Sequence, residues 1–410
     1  MFRVNMICHL WDLLDEGVGE VLDRLQGELG VSGVCVPVVC PPLAQLRCRP
    51  GAGPRIFRTR GGAFFTPQEA YYQATRCKPA ASSWLKNRNP LQLVAEQCRK
   101  RKLDCRAVVH SSSAGLLARH HPQTAAKTVF GDAWPERVCL VNPDVQALLV
   151  GLCRDLAENY QLSAIEMRGF HTGRIRPDSL GFDPPFDLGP GGYALLQMCF
   201  CESCRQLADR GSEVSPGVGP ESAARSAEVR LRRIFEAGPA AGGLDLTWEQ
   251  LLADDAPLRK HAASQWRALA GLLESIRREC DCPVILHTYD DLLQGAAGTH
   301  PLADGGAIGA APAVLAHVRG ASQSETDEVA RTVVGLAGPG QGAEVEIRPY
   351  VGQPAEAGPT DAPALVRNLS RLVELDIRSV NLDNYGQIPE SAWPGVKQAI
   401  RFARRTTADA

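Results

Sequence analysis

With 410 residues, 22% of them charged and 44% hydrophobic, the chain is long enough to bury one large core or two smaller ones as an ordinary globular protein. A net charge of −2 supplies no broad basic field, so neither nucleic acid nor an anionic membrane is an expected partner. No run of roughly 18 apolar residues is present, so no membrane span is expected either.

Met1–His9 leads straight into a strand-like segment, without the charged and apolar regions of a signal peptide. A cytoplasmic location is therefore expected. There the fourteen cysteines would be reduced thiols, some of them metal ligands, and not a disulfide framework.

Short apolar runs alternate with amphipathic segments along the chain. Strands are expected at Arg3–Cys8, Gly33–Val38, Arg106–Ser111, Ala164–Gly169, Pro283–Tyr289, Ala313–Val318, Ala343–Val351 and Ser379–Tyr385. Most are rich in Val, Ile and Leu, as strands covered on both faces must be. Helices are expected at Pro90–Lys102, from Asn142 onward, and at Leu258–Glu279, Glu325–Leu336, Ala362–Leu375 and Glu390–Arg404. Asn142-Pro143-Asp144 supplies an N-cap, a first-turn proline and an acidic first turn, and Val145, Leu148, Leu149, Leu152 and Leu156 then form one apolar stripe.

Eight strands, each followed by a crossover, predict an α/β fold, a (β/α)8 TIM barrel spanning residues 1–410 as a single domain. Two long insertions interrupt it, residues 39–89 after strand 2 and residues 171–256 after strand 4. An open doubly wound sheet is the runner-up. No G-x-G-x-x-G follows a strand to mark it as a dinucleotide fold.

The second insertion carries Cys199-Phe-Cys201-Glu-Ser-Cys204, and Cys139 precedes a helix upstream. Four thiolates satisfy a structural zinc ion in closed tetrahedral coordination, which leaves no open position for chemistry. An empty thiol cluster and an iron–sulfur site are the alternatives. Cys280-Asp-Cys282 is a second pair that could supply the fourth ligand in place of Cys139. Such a knot would fasten the insertion and could serve a homo-oligomer contact.

The order Cys139-Leu-Val-Asn-Pro-Asp-Val, a helix, a strand bearing Glu166, then Cys199-Phe-Cys201-Glu-Ser-Cys204-Arg resembles a stretch of the family 42 β-galactosidases. The wider chain resembles bacterial glycoside-hydrolase-like barrel proteins, with Asp383-Asn-Tyr385-Gly386 on the last strand fitting that group. The resemblance implies a zinc knot held by Cys139, Cys199, Cys201 and Cys204. It also implies a general acid/base at Glu166 and a nucleophilic carboxylate on strand 7, where Glu346 stands. Ile165 occupies the place before Glu166 where that family has Asn.

Read from the residues, a carboxylate at the C-terminal end of a barrel strand is well placed for proton transfer to a sugar oxygen. Glu166 and Arg168 share a strand face, either as acid/base and substrate contact or as a structural ion pair. Glu344, Glu346, Arg348 and Tyr350 share another face, with Glu346 the second carboxylate or a member of a buried network. Asp383 is a further catalytic candidate. Asn381 and Tyr385 would contact a sugar, unless the segment is only the turn after the strand.

His110, His171, His287 and Tyr289 sit at or beyond strand ends. They could bind substrate or, with the carboxylates, a divalent metal, which would make a sugar isomerase or epimerase. Arg58, Arg60, Phe64, Phe65, Tyr71 and Tyr72 could wall a carbohydrate cleft, or Phe64 and Phe65 could anchor the insertion. The expected ligand is a small carbohydrate or oligosaccharide, hydrolysed or, in a catalytically silent barrel, only bound.

Overall fold

The computed structural model describes residues 2–49, 51–112, 117–170, 185–210, 220–238, 244–246, 248–287, 313–318, 323–337, 342–347 and 362–408. Expected site residues His171, Tyr289, Arg348 and Tyr350 lie outside them.

Eight parallel strands form the central sheet. They are β1 (Arg3–Ile7), β2 (Gly33–Cys40), β3 (Asp104–His110), β4 (Ala164–Arg168), β5 (Val284–His287), β6 (Ala313–Val318), β7 (Gly342–Ile347) and β8 (Ser379–Leu382). Each pairs with its sequence neighbours, and β1 pairs with both β8 and β2. The result is a curled parallel sheet of the TIM-barrel kind. A short strand, Gly62–Ala63, runs antiparallel to the end of β2.

The crossovers carry helices α1 (Pro90–Arg101), α2 (Pro143–Tyr160), α3 (Ala256–Glu279), α4 (Gln323–Leu336), α5 (Ala362–Glu374) and α6 (Trp393–Ala408). The predicted start of α2 is as expected: Asn142 Oδ1 accepts from the amides of Asp144 at 3.0 Å and Val145 at 3.3 Å. Among the described residues, no helix is long and apolar enough to cross a membrane.

Alternation along the strands sorts side chains to two faces. Val4, Met6, Ile165, Met167, Val345, Ile347, Val380 and Leu382 join the large hydrophobic cluster that the helices cover. The intervening residues Asn5, Glu166, Glu344, Glu346 and Asn381 are buried too, on the opposite face. Only small apolar groups accompany them, Ile7 with Cys35 and Val108, and Ala164 with Ile285. The inside of the curl is therefore polar, and each polar group there must find a partner.

The last strand is clearly shorter than the sequence suggests. The run Ser379–Tyr385 ends as a strand at Leu382, and Tyr385–Gln387 form a 3-10 turn. The expected alternation of Asn381, Asp383 and Tyr385 therefore stops at Asn381.

The segment after β2 makes a hairpin, Leu43–Leu46 with Ile56–Thr59, and packs against α2. Tyr72 Oη and the Gln68 amide both donate to Asp155 Oδ2, at 2.8 and 2.9 Å. Gly151 of α2 lies so close to this segment that a Cβ there would fall 2.3 Å from the Tyr71 carbonyl oxygen. Phe64, Phe65 and Tyr72 are buried anchors, whereas Arg58 and Arg60 are exposed.

Of the fourteen cysteines, Cys48 is exposed, Cys282 is half-buried and the other twelve are buried.

Candidate functional site

The deepest polar layer centres on Arg106 of β3. Its Nη1 and Nη2 fork onto Glu344 of β7 at 2.6 and 3.2 Å, and Nη1 also reaches Glu166 Oε1 at 3.4 Å. Burial works against the guanidinium's charge, but Glu344, Cys35 and Glu166 outweigh it and push its pKa above the ordinary value. Glu166 Oε1 also accepts from Asn381 Nδ2 at 3.0 Å and from the Cys35 thiol at 3.2 Å. Asn5 Nδ2 in turn donates to Asn381 Oδ1 at 2.9 Å. Glu166 and Asn381 are fully buried here. Glu166, the expected acid/base, and Asn381, an expected sugar contact, thus sit inside this layer bonded to each other.

One layer higher, toward the C-terminal ends of the strands, stands Arg168. It forks onto Glu346, with Nη1 donating to Oε1 at 3.2 Å and Nη2 donating to Oε2. His287 Nε2 lies 3.9 Å from the same Oε2. Asp383 is half-buried, and its amide donates to the Ile347 carbonyl at 2.9 Å, which sets it beside the end of β7.

Burial pushes the Glu346 carboxyl up to about 8, with Asp383 and Glu166 adding to the shift and Arg168 opposing it. Burial also holds His9 down at about 4; Arg168 and Arg47 act the same way and Asp383 opposes. His110 falls to about 3 through burial, Arg168 and His9. Both imidazoles are thus neutral hydrogen-bonding groups at pH 7. The mouth gathers Arg168, Glu346, His287, Asp383, His9 and His110.

A second network braces this mouth from the β2 side. Arg47, fully buried in the hairpin, donates from Nε to Asp12 Oδ1 at 2.6 Å and from Nη1 to Asp15 at 2.8 Å. Gln45 Nε2 reaches Asn384 Oδ1 at 3.3 Å, and its Oε1 accepts from Trp11 Nε1 at 2.9 Å. The Trp11 ring is stacked between His9 and Phe57, at 4.4 and 4.1 Å.

Tyr385 belongs to this support and not to the opening. It is fully buried, its hydroxyl donates to Glu16 Oε2 at 2.9 Å and accepts from Arg24, and Arg49 lies over its ring. Its expected role as a stacking surface for a sugar is corrected accordingly.

Away from the mouth, Cys139, Cys199, Cys201 and Cys204 are all buried and their sulfurs lie within 4.8 Å of one another. Four sulfurs about 2.3 Å from a central ion are about 3.8 Å apart, so the cluster is compact enough to close on a tetrahedral metal. The surroundings suit that use. The Lys127 amide donates to Cys199 Sγ at 3.4 Å, and Gln265 Nε2 fixes the Cys199 carbonyl at 2.7 Å. Cys280 and Cys282 take no part in the cluster.

No protein-family model matches the chain, and no curated protein matches it. Solved structures do. An α-L-fucosidase isoenzyme 2 from Paenibacillus thiaminolyticus aligns with a TM-score of 0.56 at 13% identity, over 100% of this chain and 50% of that one. A β-galactosidase from Halorubrum lacusprofundi gives 0.55 at 11%, over 98% and 58%, and one from Marinomonas ef1 gives 0.57 at 9%, over 100% and 60%. The fold is glycoside-hydrolase-like. The chain spans 50–60% of the length of these three proteins.

TIM-barrel enzymes build their chemistry at the C-terminal ends of the strands. Of the expected site residues, Arg168, His287, Glu346 and Asp383 meet there, together with His110. The sequence reading did not single out His9, Asp12, Gln45, Arg47 or Arg106. Arg106 carried a signal, a charge inside a strand otherwise buried on both faces. Arg47 carried none, because nothing local marks a hairpin arginine for full burial.

Proposed function

We propose that this chain is a carbohydrate-active protein of glycoside-hydrolase type. It would be a single (β/α)8 barrel with residues 39–89 and 171–256 inserted after β2 and β4. A sugar would sit at the C-terminal mouth, with Glu346 as general acid and Asp383 as the second carboxylate. One observation carries this reading: Glu346, an acid raised to about 8, lies at the mouth beside the half-buried Asp383. An acid that holds its proton near neutral pH is what leaving-group protonation needs. Arg168, His287, His9 and His110 would orient the sugar hydroxyls. Glu166 is assigned a supporting role beneath them.

The four-cysteine knot would hold one structural zinc ion through Cys139, Cys199, Cys201 and Cys204. It would fasten the segment after β4 in a reducing compartment such as the cytoplasm.

The test is turnover on a panel of nitrophenyl glycosides that includes α-L-fucoside and β-D-galactoside. Glu346→Gln and Asp383→Asn should each lower kcat by about 10²–10⁴ while the circular dichroism spectrum is retained. Full activity in both variants on a substrate that the wild type cleaves would sink the assignment.

The Arg168 fork, which occupies both Glu346 oxygens, favours a second reading, a barrel that binds a saccharide without cleaving it. Saturable glycan binding with no hydrolysis of any panel member would select it. Among the described residues the mouth histidines do not gather into a metal-ligand cluster, so no observation favours a metal-dependent isomerase.

A further inference from the structure

Glu166 is satisfied on one oxygen only. Its Oε1 accepts from Asn381, Cys35 and Arg106, whereas Oε2 is buried with no hydrogen-bond partner among the described residues. A buried acceptor left unpaired costs about 1–3 kcal/mol, so a fold that keeps one has a use for it. The cation facing Oε2 is Arg168, whose Nη2 stands 3.9 Å away. That nitrogen is engaged with Glu346, and the buried Arg168 Nε has no hydrogen-bond partner of its own among the described residues. One guanidinium therefore lies between two carboxylates, seated on one and about 1 Å short of a hydrogen bond to the other.

We propose that Glu166 is a positioning residue whose free Oε2 is a second seat for Arg168. Arg168 moves onto it when Glu346 takes up a proton or a sugar hydroxyl. In the first seat Arg168 covers both oxygens of Glu346. In the second, Glu346 is released to the mouth and Glu166 is fully paired. The only bond made is the O–H bond when Glu346 takes its proton from solvent; the guanidinium keeps its own protons throughout.

The surrounding charges are consistent with a movable cation. Glu346 is faced by Arg168 and Glu166 from β4, by His287 from β5 and by Asp383 after β8, and His317 is its register partner on β6. Arg168 is faced in addition by Cys40 from β2, His9 after β1 and His110 of β3.

The inference rests on Glu346 as the working carboxylate, but its test reads a position and a titration, not turnover, so the two can fail separately. In a crystal structure of Glu346→Gln, a neutral isostere of the protonated acid, Arg168 Nη2 should close on Glu166 Oε2 to about 2.9 Å. An Arg168 that stays on residue 346, or turns outward and leaves Oε2 unpaired, overturns the proposal. Should that variant not fold, wild-type crystals at pH 5 and pH 9 report the same distance.

The companion measurement is a pH titration of ¹³C-glutamate-labelled wild type and Glu166→Gln, followed by NMR. With the second seat removed, Arg168 remains on Glu346, and that carboxyl should titrate at least about tenfold lower in proton affinity. Loss of the Glu166 charge lowers that midpoint by itself, so an unchanged midpoint rejects the proposal, and the Arg168–Glu166 distance in the crystal decides between the charge and the seat.

Discussion

Arg106→Met should be about 3–5 kcal/mol less stable than the wild type, read as a shift of the urea unfolding midpoint at unchanged slope. The reason is what the substitution leaves behind. Glu344 would lose both of its fork bonds and Glu166 one of its three, deep inside the sheet where water does not reach. An unpaired buried carboxylate must either remain charged at high energy or take up a proton. The charge and not the volume is at issue, so Arg106→Met combined with Glu344→Leu should recover most of the loss. Replacing a whole buried pair with apolar groups is often close to neutral. If the single variant unfolds within about 1 kcal/mol of the wild type, the Arg106 network is not what holds the inside of the curl.

The second large effect concerns the thiol cluster. Purified protein should carry close to one equivalent of zinc, and its removal by a strong chelator should lower the melting temperature by roughly 5–10 °C. Cys201→Ser should behave like the stripped protein and show no further loss on chelation. The loosening should be regional. The cluster joins the loop before α2 to the helix Glu202–Arg210, and through Gln265 and His261 it joins α3. Hydrogen exchange should therefore rise in those elements first, with the central strands still protected. A chelated protein that melts like the untreated one, with no metal released, would remove zinc from the account.

The architecture was readable because its signals are local. Strands covered on both faces appear as runs rich in Val, Ile and Leu, and most of the eight stand out that way in the sequence. The sixth, Ala313–Val318, follows a Gly- and Ala-rich stretch that lacks periodicity. Asn142-Pro143 announced the start of α2, and the spacing of Cys199, Cys201 and Cys204 announced the cluster.

The interior was readable only by face. Alternation shows that Glu166, Glu344 and Glu346 point inward, but it does not give depth along the barrel axis. Depth separates Glu166, beneath the mouth, from Glu346 within it. Partners were harder still. Arg106 and Glu344 are 238 positions apart, and no local pattern joins them. Tyr385 was misplaced because the strand pattern was carried three residues past its end, into a turn that points the ring at Arg49 and Trp393. Phe64 and Phe65, by contrast, anchor their segment, as one of the two sequence readings held.

The distribution of the thiols gives the molecule a chemical stopwatch. A cysteine reacts only when a reagent can reach its sulfur. In the folded chain that condition admits Cys48 and, more slowly, Cys282. Each of the other twelve becomes reactive only when the element covering it opens. The sequence in which a thiol-specific label arrives is therefore a record of the order in which the fold comes apart. Cys8, Cys35 and Cys105 time the central sheet, and Cys98 and Cys153 time the helices packed on it. The four clustered sulfurs time the segment they tie down, so the protein reports its own opening without an added probe.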